Sequence, residues 1–263
     1  MWTRSLLKSN ARLALSGRYW RGFALCLLLG ILGIGDVAPK TLIEFRSSVE
    51  QLQSIGQGEV WTGNGSTYVT DVPSLIASIP PSLWAVLGTW IMICVLIGLC
   101  WAFFIALPLS VGRNRYFMES RQGPSPMSTA TSIFHTPYLN VVKVSALVRL
   151  KILLGSILVI PGIYWSFCYR QVDYLLAENP YLPAGRAMEL SRQMMDGEKW
   201  NAFVLDLSFF GWLLLCVLTL GIGNLFLEPY LQATYAELYA ALRSKALAQG
   251  LSDETELGGF VRH

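Results

Sequence analysis

Charged side chains are scarce in this chain. Asp, Glu, Lys and Arg make up 14% of its 263 residues, whereas an ordinary soluble domain is about one-quarter charged. So few charges cannot cover a globular surface, which argues against a soluble enzyme. Disorder is excluded from the other side, because 53% of the chain is hydrophobic. Histidine is nearly absent: His135 lies in the linker TSIFHTPY and His263 ends the chain. A His-based triad or a multi-histidine metal site has no material. There is no HExxH and no Walker P-loop, so a nucleotide-driven pump would need a separate subunit. Cys26, Cys94, Cys100, Cys168 and Cys216 lie in or beside apolar runs without CxxC spacing. They read as small packing residues and not as metal ligands. No cofactor and no nucleic-acid partner is implied.

What remains is long apolar runs, and these point to an all-α, polytopic membrane bundle. The first run spans Tyr19 to Gly35, with Tyr19, Trp20 and Arg21 placed to sit at an interface. It lacks a small-x-small cleavage site before Asp36, so it reads as a retained helix and not a signal peptide. The second covers Leu83–Val111, with Pro108 near its end. The third covers 139–160, interrupted by Lys143, Arg149 and Lys151. Ile160-Pro161-Gly162-Ile163 follows, and Pro and Gly together predict either a kink or a helical hairpin. The fourth run, Ile163–Leu176, is short and holds Arg170 and Asp173, so a half-span is also open there. The last two are 200–220 and 225–243, joined by a turn at Gly221-Ile222-Gly223-Asn224.

Three amphipathic stretches flank the spans. In residues 3–17, Arg4, Lys8 and Arg12 recur every four residues beside Leu7, Ala11 and Leu15. A basic stripe beside an apolar one suits an anionic membrane surface; the alternative is a helix packed on the protein's own cytosolic side. Leu42, Phe45, Val49 and Leu52 predict a surface helix over 41–55. Asn64-Gly65-Ser66 matches a glycosylation triplet, which would matter only in a secretory pathway. Residues 180–197 predict a cytosolic helix burying Ala187, Leu190, Ser191 and Met194, ended by Gly197. The tail 246–263 is polar and reads as flexible. The expected organisation is one membrane domain over 1–245, with an N-terminal helix (1–18), an extracytoplasmic segment (36–82) and a cytosolic helix (180–199).

Positive charge orients this arrangement, because Lys and Arg mark cytoplasmic loops. Residues 36–82 carry only Lys40 and Arg46, against Asp36, Glu44, Glu50, Glu59 and Asp71, and belong outside. Arg113, Arg115 and Arg121 belong inside, as do Arg170, Arg186, Arg192 and Lys199. An even number of crossings must separate Arg121 from Arg170, and the Pro161-Gly162 hairpin supplies two. This gives about six spans with both termini cytoplasmic.

From Ile160 on, short motifs occur in a fixed order. They are Ile160-Pro161-Gly162-Ile163, Ala177-Glu178-Asn179-Pro180, Ala187, and Leu190-Ser191-Arg192 with Met195, Gly197, Lys199 and Trp200. Leu205-Asp206-Leu207-Ser208-Phe209-Phe210-Gly211-Trp212, Glu228-Pro229-Tyr230 and Tyr239 complete the set. Over 160–242 the chain resembles a bacterial integral membrane family, domain of unknown function 975. The resemblance implies a multi-span plasma-membrane protein and transfers no reaction, cofactor or site residue.

A charge inside a bilayer costs about 2.5–3.5 kcal/mol on insertion scales, so it needs a partner or a task. Asp206 stands in the apolar run AFVLDLSFFGW. Arg149 and Lys151 lie at a matching height and are its expected partners, as a structural pair or, with Glu237, a polar path. Glu228 and Glu237 are 2.5 turns apart, so they are expected on nearly opposite sides of the last helix. Arg192, Lys199 and Trp200, with Arg4, Lys8 and Arg12, are candidate lipid headgroup contacts. Three functions follow. The preferred one is a non-enzymatic scaffold, regulator or lipid-interacting protein, with anionic lipids and another membrane protein as partners. The second is a small transporter or channel subunit. The third is a lipid-modifying enzyme using Asp173, Glu178 or His135.

Overall fold

The computed structural model describes residues 2–32, 61–63, 66–68, 80–135, 137–219 and 222–258. Apart from one short ribbon, its regular structure is helical. The expected helix over 41–55, the Asn64-Gly65 dipeptide and residues 259–263 lie outside the described residues. The chain divides into two units, Asp36–Trp101 and Met1–Gly35 with Ala102–His263.

In the smaller unit, β1 (Trp61–Gly63) pairs antiparallel with β2 (Ser66–Tyr68), Trp61 opposite Tyr68. The sequence between them is Asn-Gly, the dipeptide that favours two-residue hairpins. Helix α3 (Pro81–Trp101) has 21 residues and is apolar on every side. Residues 82–101 are all exposed. At 1.5 Å per residue α3 is about 30 Å long, the thickness of a hydrocarbon core.

In the larger unit, Thr3 caps α1 (Arg4–Leu15) by accepting from the Leu6 amide. Helix α2 (Tyr19–Ile31) follows after a short turn. After a π-helical turn at Ala102–Ala106, α4 (Leu107–Ser120) is buried over nearly its whole length. Pro108 has no amide to give to the carbonyl four residues back. The Tyr138 hydroxyl donates to that carbonyl, Phe104, instead. A 3₁₀ segment (Met127–His135) packs along α4.

Helices α5 (Tyr138–Ser156) and α6 (Ile160–Cys168) form the expected hairpin, but its turn is at 157–159. Pro161 lies in the first turn of α6, where its missing amide costs nothing. Gly162 acts through size. A Cβ there would come within 2.6 Å of the Ser156 backbone, and one at Gly155 would meet the Trp165 ring at 2.5 Å. The predicted fourth span is broken, because the chain turns at 169–171 before α7 (Val172–Glu178).

Helix α8 (Ala184–Met194) buries Ala187, Leu190, Ser191 and Met194, the predicted face. The run 200–220 divides into α9 (Lys199–Leu207) and α10 (Phe210–Leu218). At the break the Ser208 hydroxyl bonds back to the Leu205 carbonyl, which bends helices. Helix α11 (Ile222–Ala248, 27 residues) contains Pro229. Gly223 and Asn224, expected in a turn, are already helical. The core joins α4, α7 and α11, with Phe117, Leu175, Leu176 and Tyr239 almost fully buried.

Part of the C-terminal segment, expected to be flexible, is packed. Ala246 and Leu257 are buried, and Glu256 is bonded to α8 through Arg186. Among the described residues, Ser82–Ser120 and Lys199–Cys216 are long and apolar enough to cross a membrane; Tyr19–Gly30 is apolar but shorter.

Candidate functional site

The acids of the apolar helices are paired, though not as their depth suggested. Asp206 on α9 receives both Arg170 terminal nitrogens, at 2.6 and 2.8 Å. That guanidinium also lies 4.6 Å from the centre of the Tyr235 ring. The break at 169–171 ends α6 beside α9, and this is what brings Arg170 to Asp206. Arg149 pairs with Asp173 at 3.2 Å, where the Ser145 hydroxyl also donates. Lys151 sits 5.2 Å from the Tyr169 ring centre. The expected Asp206–Arg149 or Asp206–Lys151 contact is thus replaced by Asp206–Arg170.

Glu237 takes both Nε and Nη2 of Arg121, at 2.6 and 3.1 Å. Glu228 takes Arg113 at 3.1 Å and Gln232 at 2.8 Å. Both glutamates therefore bond arginines of one neighbouring stretch of chain, despite the expectation of opposite faces. Pro229 lies inside α11 between the two glutamates. Asp206, Arg149, Lys151 and Glu237 each make a separate contact.

The motif Ala177-Glu178-Asn179-Pro180 anchors the C-terminal segment. Glu178 is buried and accepts from the Tyr239 hydroxyl at 2.5 Å and from Arg243 Nε at 2.9 Å. Arg243 also donates to the Leu257 carbonyl, and Asn179 donates to Glu256 O at 3.0 Å. Arg186 grips Glu256 through two bonds of 2.8 Å. That guanidinium holds the Glu256 carboxyl below its usual range. Ser191 bridges Cys168 O and the Gln171 amide, tying α8 to the 169–171 break. Sequence spacing pointed to none of these pairings; the only signal was that Glu178, Ser191 and Tyr239 are polar residues on otherwise apolar faces.

The remaining candidates separate. His135 is exposed at the end of the 3₁₀ segment. Asp173 is taken by Arg149 and Ser145, and Glu178 by Tyr239 and Arg243. Among the described residues, no group of three or more His, Cys, Asp or Glu is placed to hold a metal. Arg192 and Arg4 are exposed, and Trp200 is 71% exposed. Lys199 bonds Asp196 at 3.3 Å. Lys8 turns inward, donating to the Ser208 carbonyl at the C-terminus of α9 and lying 4.2 Å from the Phe209 ring centre. It thereby caps α9. Burial, then Arg12 and Arg4, lower its pKa.

Sequence patterning did not reveal a cleft of about 690 Å³ between the α1–α2 corner, α10 and the start of α11. Leu15, Tyr19, Trp212, Leu215, Phe226 and Tyr230 form much of its wall, and Arg12 is its one charged residue. The Tyr19 hydroxyl is spent on the Phe226 carbonyl at 2.7 Å, and Thr219 accepts from Gly223 N at 3.0 Å. Arg12 lies 5.8 Å from the Tyr230 ring centre and makes no ion pair among the described residues.

No curated protein and no solved structure matches this chain. A family model described as "Protein of unknown function (DUF975)" matches residues 65–246, which takes in α3 and α4 as well as the motifs after Ile160. That match covers more than half of the sequence, and the chain belongs to the DUF975 family.

Proposed function

We propose that this chain is a non-enzymatic integral protein of the bacterial plasma membrane that binds anionic lipid and serves as a scaffold or regulator. The observation that carries the proposal is the two-point Arg170–Asp206 pair. A transporter or channel would use the acid in its apolar helix beside an open path; here that acid is neutralised by a two-point arginine contact. An acid–base enzyme would need its groups gathered, and Asp173, Glu178 and His135 are each placed elsewhere.

The membrane arrangement belongs to the same proposal. Helices α2, α3, α9–α10 and α11 cross, with both termini cytoplasmic and residues 36–82 outside. The α5–α6 hairpin enters and leaves on the cytoplasmic side. Helix α6 has nine residues, about 14 Å at 1.5 Å per residue, half of a 30 Å core. Its tip, Ile157, Leu158, Val159 and Ile160, is exposed and apolar. The amides of Leu158, Val159 and Ile160 are bonded within the tip, as a hydrocarbon setting demands. Such a hairpin keeps Arg121 and Arg170 on one side, as six full spans would.

The test is purification in polymer discs cut from native membranes, with the bound lipids analysed, and flux measured after reconstitution. Enrichment of anionic lipid without flux is expected. Flux that is abolished by Asp206→Asn would replace this reading with a transporter.

A further inference from the structure

We propose that the cleft between the α1–α2 corner, α10 and α11 holds an acyl chain of one anionic phospholipid, whose phosphate rests against Arg12. The inference deepens the lipid-binding reading and rests on it. Four observations carry it.

The first is size. At about 690 Å³ the cleft falls in the range of about 300–1,000 Å³ typical of small-molecule sites. The second is the wall. Trp212, Leu215, Phe226 and Leu227 are apolar, and the Tyr19 and Thr219 hydroxyls already have partners. A chain without hydrogen-bonding groups fits the apolar part of this wall, and the Tyr230 hydroxyl, buried without a partner among the described residues and beside Arg12, stands at the charged end.

The third is the position of charge. Arg12 lies beside Tyr230, whereas Thr219 is bonded to Gly223, further back along α11. From Tyr230 back to Gly223 the α11 wall is about 10 Å long at 1.5 Å per residue. A charged end followed by an apolar length is the complement of an amphiphile with a negative head. The fourth is the local field. Arg4, Lys8 and Arg12 share one helix face, and burial, then Arg12 and Arg4, weaken the hold of Lys8 on its proton. Lys8 is committed to Ser208, whereas Arg12 has no counter-ion among the described residues. An anionic headgroup would supply one.

The experiment uses the full chain in vesicles of phosphatidylcholine and phosphatidylglycerol, released into the gas phase for native mass spectrometry. The wild-type chain is expected to retain one phosphatidylglycerol in preference to phosphatidylcholine. Arg12→Gln should cut that preference about fivefold, the equivalent of one basic residue at an anionic surface. Leu215→Trp, at an exposed wall position that tolerates bulk, should remove the retained lipid altogether. Retained lipid unaffected by both substitutions overturns the cleft and leaves the general lipid-binding reading standing. A wild-type chain carrying no phosphatidylglycerol overturns both. A second copy of the chain in place of lipid, released by Leu215→Trp, overturns the cleft in favour of a self-association surface.

Discussion

At the scale of single residues, the chemistry is governed by which base reaches which acid. Arg170 and Asp206 keep 19% and 33% of their side-chain surface, so the pair is neither dry nor fully wet. Removing one partner strands the other. Asp206→Asn and Arg170→Gln should each lower stability by about 1–3 kcal/mol, less than a fully buried pair because water screens the carboxylate. The double variant should recover part of the loss in a thermal melt. The same cycle with Arg149 in place of Arg170 should be additive, since Arg149 serves Asp173. Coupling of Asp206 to Arg149 would mean the sequence-based pairing was the correct one.

At the scale of elements, close approach and capping decide what the helices can do. The α5–α6 hairpin is closed by two glycines, and a methyl at Gly162 would collide with backbone, which cannot swing aside. Gly162→Ala should therefore cost about 1–3 kcal/mol, the usual penalty of overpacking. Proteolysis near Val159 should rise with it; an unchanged melt and digest would mean the hairpin is open in solution.

The C-terminal segment is a second element with a testable hold. The Glu256 carboxyl, drawn down by Arg186, is ionised in the folded state to lower pH than in the unfolded chain. Its contribution is thus fully present above the ordinary carboxylate range of about 4.3. It is lost as pH falls through the lowered folded value. Hydrogen exchange at 251–257 should accelerate on acidification in the wild type. In Arg186→Gln it should be fast already at neutral pH. Equal rates in the two proteins at neutral pH would count against the latch.

At the scale of the whole molecule, the proposed membrane arrangement predicts chemical protection. Cys94 and Cys100 are exposed on α3. In intact vesicles a membrane-impermeant maleimide should leave both unmodified, yet modify them after denaturation. Ser66→Cys should react only from the outside. Labelling of Cys94 in intact vesicles would remove α3 from the membrane, and labelling at position 66 from the cytoplasmic side alone would invert the topology.

Local pattern was enough for much of the architecture. Four-residue periodicity in Leu7, Ala11 and Leu15, and in Ala187, Leu190, Ser191 and Met194, identified buried faces, because a helix fixes which side chains share a side. Unbroken apolarity marked α3, since nothing in its sequence distinguishes one face from another. Composition alone made a charge in an apolar run need a partner. Tertiary structure decided who the partner is. The break at 169–171 redirected Arg170 toward Asp206, and the bend at Ser208 gave Lys8 a carbonyl to cap. Glu178, Tyr239 and Leu257 met across distant stretches of chain. Periodicity records the orientation of a residue on its own helix. Pairing, capping and the Arg12 cleft depend on how separate helices pack, which no local window of sequence contains.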